Sequence, residues 1–170
     1  MRFMAKVTIP TEKGDDAFKS GALPRTTTIE WSYELLSEAE KTLFARLSVF
    51  SGGSTLEAAE EVAEADLDSL QSLVEKSLLR FTNERYWMLE TIREFAGERL
   101  EATGEAADVL LRHAHHFRAL AEAKAARDVI DLYVDELDLE HDNLRTALGT
   151  LLESAASGVR HRRSLDSATL

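Results

Sequence analysis

Trp31-Ser-Tyr-Glu-Leu-Leu-Ser-Glu-Ala-Glu40, running on into Leu47-Ser-Val-Phe-Ser-Gly-Gly53, carries the helix start and stop signals around which the rest of the chain is arranged. Ser37-Glu-Ala-Glu40 has the form of a capping box. The serine hydroxyl and the glutamate carboxylate three residues later satisfy each other's free backbone N–H groups, so a helix starts after Ser37. Leu43, Phe44, Leu47 and Phe50 then recur at core-facing spacing, and Gly52-Gly53 is expected to stop the helix. Upstream, 26–36 reads as a helix with Ile29, Tyr33 and Leu36 on one side. Downstream, Ser54-Thr-Leu-Glu57 reads as a second capping box, opening a helix to about 63 with Leu56, Ala59 and Val62 inward. Asp66 caps a third, with Leu67, Leu70, Leu73 and Val74 inward.

The period then changes. Ser77-Leu-Leu-Arg-Phe-Thr82 is strand-like, Asn83-Glu-Arg85 is a turn, and Tyr86-Trp-Met88 returns as a second strand. A helix follows from 89 or 90, with Ile92, Phe95, Ala96 and Leu100 on one face and Gly104 at its end. Helices are then expected over 105–126, 128–138 and 140–156. The predicted fold is mainly α. A winged helix-turn-helix of three helices plus a β-hairpin spans 26–103, and an α-helical hairpin arm spans 104–156. Residues 1–25 read as an extension or linker, and 157–170 as a disordered basic tail. Trp31, Tyr33, Phe44, Phe50, Phe81 and Phe95 are expected in the core.

The 170 residues are 44% apolar and carry a formal charge of −11, with no cysteine, two prolines and eight glycines. That composition suits a helical globular protein and excludes disulfide and thiolate chemistry. There is no apolar run near the ~20 residues of a membrane span and no long apolar stretch of the signal-peptide kind at the start, so the expected place is the cytoplasm.

The Trp-Ser-Tyr-x-Leu-Leu-Ser run and the Phe-x-Gly-Gly turn occur with Lys76-Ser-Leu-Leu79, Met88-Leu-Glu-Thr-Ile-Arg-Glu-x-Ala96 and Glu140-His-Asp-Asn-Leu-Arg145. As a set they resemble the winged-helix module that follows the nucleotide-binding domain in bacterial STAND-class (NB-ARC-like) ATPases, including LuxR- and SARP-type transcriptional regulators. The resemblance covers about 25–148. It implies a regulatory module that packs on the nucleotide domain in the ADP-bound state, followed by the start of a tetratricopeptide-like arm. The partner would be a nucleotide-binding ATPase domain, lost in cis or supplied in trans, or another protein. The chain departs from the pattern in two places. Leu89 stands where plant and animal relatives carry a phosphate-contacting histidine. Gly52-Gly53 is followed by Ser-Thr-Leu-Glu, and no Gly-x-x-x-x-Gly-Lys-Ser/Thr loop is present. No ATP hydrolysis and no cofactor are therefore expected.

A helix-turn-helix raises the question of DNA. Over 55–76 there are seven acids (Glu57, Glu60, Glu61, Glu64, Asp66, Asp68, Glu75) against Lys76 alone. On that count DNA is an unlikely partner and protein contact is the expected mode. The alternative is a free-standing DNA-binding regulator, for which Gln71, Lys76, Arg80 and Arg85 are the candidate contacts. Trp87 and Glu90 are the candidate protein contacts. Of His113, His115 and His116, the first and last lie at i and i+3, close enough on a helix face to share a ligand, but there is no His-Glu-x-x-His pattern and no acid at i+4, so no catalytic or metal residue is assigned. His141 and Asn143, at a helix start, are expected to cap or to bond between helices.

Overall fold

The computed structural model describes residues 25–125 and 138–166; most of the helix expected at 128–138 lies outside them. The chain divides into two compact units, 1–35 and 36–170. The first contains α1, Arg25–Glu34, on which Trp31 is exposed rather than in a core.

In the second unit α2 spans Glu38–Arg46 and starts with the capping box at Ser37: Glu40 N donates to Ser37 Oγ at 3.3 Å and Ser37 N donates to Glu40 Oε2 at 2.6 Å. α2 stops before the glycines. A 3-10 turn over Leu47–Val49 takes its place and still buries all three residues. α3, Leu56–Ala63, is capped by Thr55 and not by Ser54, because Ser54 is held elsewhere, in an antiparallel bridge to Tyr86. α4, Leu67–Glu75, is capped by Asp66 as the sequence predicts, although Leu67 is exposed. It ends in a Schellman motif: Ser77 takes φ 60°, its N–H donates to Val74 O at 3.0 Å, and Leu78 N donates to Leu73 O at 3.0 Å.

The wing is β1 (Arg80–Thr82) antiparallel to β2 (Arg85–Trp87), in the register Arg80↔Trp87, Phe81↔Tyr86, Thr82↔Arg85. Asn83 and Glu84 both have positive φ, as a two-residue turn matched to strand twist requires. On its other side β2 meets Ser54, with N–H to O bonds of 2.8 Å in both directions. Gly53 makes this possible. Its φ is +88°, and a Cβ there would lie 2.5 Å from Tyr86 O.

α5, Glu90–Thr103, ends at Gly104 in the left-handed conformation. Leu47, Phe50, Leu73, Leu79, Ile92 and Phe95, drawn from the 3-10 turn and its end, α4, the approach to the wing and α5, are all buried. Phe44 and Phe95 meet at 6.3 Å. Phe81 does not join them. It is 52% exposed and lies beside Tyr86, 4.7 Å between ring centres, on the edge strand β1, which no third strand flanks among the described residues.

The arm is α6, Ala106–Ala125, packed along α7, His141–Asp166. α7 continues helical to Asp166, past the point near Ser157 where the apolar period stops. No helix of the described residues is long and apolar enough to cross a membrane.

Candidate functional site

The surface a winged helix offers to a partner consists of α4 and the wing. On α4, Gln71 is exposed and its Nε2 donates to Glu75 Oε1 at 3.0 Å. Lys76, at the end of α4, is turned to α2, where its Nζ lies 2.5 Å from Glu40 Oε1. Lys76, with Ser72 and the Ser37 backbone N–H, holds the Glu40 carboxyl down to about 2. On the wing, Arg80 is exposed with its guanidinium 5.2 Å from the Trp87 ring centre, and no carboxylate pairs with it among the described residues. Cross-strand pairing puts Arg80, Thr82, Arg85 and Trp87 on one face of the hairpin.

Arg85 sits on that face but is captured. It makes a two-pronged pair with Glu140, one contact at 3.1 Å, and its Nη2 also donates to Gly53 O at 3.1 Å. Both side chains are largely buried, 15% and 10% exposed. Glu140 Oε2 also accepts from Asn143 Nδ2 at 2.7 Å, and Asn143 is the hub of the seam. Fully buried, it donates to Gly53 O at 2.9 Å as well and accepts on Oδ1 from Ser51 N–H at 2.8 Å and from His113 Nε2 at 3.3 Å. His113 is fully buried between Phe50 and Phe117, and its Nδ1 has no hydrogen-bond partner among the described residues. Burial pushes its pKa down to about 4.

The protein-contact candidates do not converge. Trp87 is half-buried under Arg80, while Glu90 is exposed and pairs with Arg93 at 2.6 Å. That pairing holds the Glu90 carboxyl below its usual range. The exposed aromatic of the wing is Phe81, which period-two alternation alone does not separate from the core residues. The three histidines point different ways: His113 inward, His115 outward, and His116 to Glu61 at 2.7 Å. No group of three or more His, Cys, Asp or Glu is placed to hold a metal ion among the described residues.

Two short strands and one bridge beside a helix-turn-helix, with α5 closing the core, give the expected architecture, and sequence comparison agrees. Residues 36–101 match the family model of the winged helix-turn-helix domain. A protein of Mycobacterium tuberculosis strain H37Rv, provisionally named an HTH-type transcriptional regulator, is 38% identical over 156 residues. The match covers 78% of this chain and 18% of that protein. A Mycobacterium bovis protein of the same provisional name matches equally well. A second M. bovis protein, named only as uncharacterized, is 36% identical over 103 residues, covering 54% of this chain and 26% of its own. The chain thus spans about a fifth of the length of the regulators it matches. No solved structure matches it.

These findings overturn the expectation that DNA is an unlikely partner: a helix-turn-helix domain and relatives named as HTH-type regulators point to DNA. The structure shows why counting acids misled. Glu64 is neutralised by Arg46 at 2.5 Å and by Arg112, Glu61 pairs with His116, and Asp66 is engaged as a helix cap. With Glu75 bonded to Gln71, four of the seven acids have partners, and for Glu64 and Glu61 the partner is an arginine or histidine of another element that a count over 55–76 leaves out.

Proposed function

We propose that this chain is the winged-helix section of a transcriptional regulator, a non-catalytic module that contacts DNA with its wing leading. The observation that carries the reading is the exposed, carboxylate-free Arg80 on the wing of a helix-turn-helix domain. A guanidinium there is suited to the phosphate backbone, and exposed Gln71 on α4 is suited to a base edge. Exposed Asp68 and Glu75 flank Gln71, so α4 alone is a weak electrostatic platform and the wing supplies the attraction. The finer reading, a STAND-type regulator whose winged helix is followed by a tetratricopeptide-like arm, is supported by the motif set and by the paired α6 and α7. The test is selection from a random duplex library, followed by titration at two salt concentrations. Enrichment of a sequence is expected, with Arg80→Ala weakening binding to all sequences and lowering the salt slope by about 1. Gln71→Ala is expected to relax preference at one position. Absence of any enrichment, with binding indifferent to Arg80→Ala, would overturn the proposal.

A further inference from the structure

We propose that the helical arm gates the wing, with Glu140 holding Arg85 in reserve as a second phosphate contact; the inference rests on the DNA reading above. Arg80 and Arg85 occupy one face of the same hairpin, at ladder positions two residues apart, so together they form a two-cation surface of the kind a nucleic-acid backbone recognises. Only Arg80 is available. Arg85, the first ladder position after the turn, is drawn away by a carboxylate that belongs to the arm and not to the winged helix.

The capture is held in place from behind. Asn143 fixes the Glu140 carboxylate, and it is itself fixed by Ser51, Gly53 and His113. A shift of the start of α7 therefore moves Glu140 and Asn143 as one piece. Arg85 then loses its counter-ion while keeping its place on a strand that Ser54 and β1 continue to hold. The released side chain has room. Arg85 borders an open groove of about 560 Å³ together with Asn83 and Glu84 of the wing tip. Withdrawing Glu140 while Arg85 stays on the wing also makes the local charge more positive by one unit, the direction DNA favours.

Two measurements on the full chain test the gate. Reaction with an arginine-selective dicarbonyl, mapped by mass spectrometry, reads release without DNA. In the unmodified chain Arg85 should react far more slowly than Arg80, and Glu140→Gln should raise Arg85 to the Arg80 rate. DNA titration reads the consequence. Glu140→Gln should bind roughly threefold or more tightly at low salt, with the salt slope steeper by about 0.9, the signature of one added phosphate contact. Glu140→Asp, a milder change with a carboxylate one methylene shorter, should fall between, and thermal melting monitors whether each variant is folded. Arg85 reacting as fast as Arg80 in the unmodified chain, or folded Glu140 variants that bind DNA no more tightly while Arg80→Ala binds less, overturns the gate and leaves the DNA reading standing. Release of Arg85 with no DNA binding by any variant overturns the DNA reading, and the gate's purpose with it.

Discussion

Phe44 and Asn143 are both inaccessible to solvent, yet they are buried for opposite reasons. Phe44 lies in an apolar core built from α2, α4 and α5, where contact with Phe95 and its neighbours is non-directional and any side chain of similar shape serves. Asn143 lies in the seam between winged helix and arm, where each of its polar atoms has a designated partner. The core makes the domain stable. The seam makes one docking of the arm correct and all others costly, because a mis-docked arm leaves buried polar groups unpaired.

Emptying each region in turn separates the two kinds of burial. Phe44→Ala should cost about 3–5 kcal/mol in chemical denaturation, the usual range for a buried aromatic. Asn143→Ala should cost about 2–3 kcal/mol, since it orphans the Ser51 N–H and removes a donor from Gly53 O and Glu140. Were Asn143→Ala to melt like the unmodified chain, the seam would be held by apolar contact after all. Asn143→Leu, close in volume, separates the two explanations: it keeps the packing and loses the partners, so it should be no better than alanine.

Acid should act on the seam before the core. The folded-state pKa of His113 is about 4, below its ordinary 6.5, so in that interval the unfolded chain takes up a proton that the folded chain refuses. Stability present above about pH 6.5 is therefore lost as pH falls toward 4, by at most about 1.4 kcal/mol per unit. Glu40 has the same sign in a lower window, from 4.5 to about 2. His113→Gln, which retains a donor for Asn143, should flatten the upper window and leave the lower one intact. The smallest effect is reserved for Glu94→Ala on the exposed side of α5, within about 0.5 kcal/mol. Its neighbour Arg93 is partly buried between Glu90 and Ser48 O and should be more sensitive than a solvent-facing position.

The core was legible in the sequence because periodicity reports burial along a single element. The capping box at Ser37 and the cap at Asp66 were equally legible, being local. The cap at Ser54 was misplaced by one residue because Ser54 answers to Tyr86, more than thirty positions away, and local pattern cannot register that claim. The seam was the least legible part. The Glu140-His-Asp-Asn run places Asn143 at a helix start, suited to a bond between helices, but nothing in spacing says that Glu140 meets Arg85 or that His113, alone among three neighbouring histidines, turns inward. Counting charge by segment failed for the same reason: pairing of Glu64 with Arg46 and Arg112 is a property of the assembled helices.

The bonds from Asn143 to Ser51 and Gly53 cross 92 and 90 positions of chain. Contacts of such separation close only after the elements they join are formed, so they belong to the last stage of folding. Their loss should leave the refolding rate nearly unchanged and appear almost wholly as faster unfolding, with a φ-value near zero in stopped-flow measurements of a mild variant such as Asn143→Ser. On this account the arm does little to guide the winged helix into shape. It acts as a latch on the finished domain, setting how long that domain survives between openings.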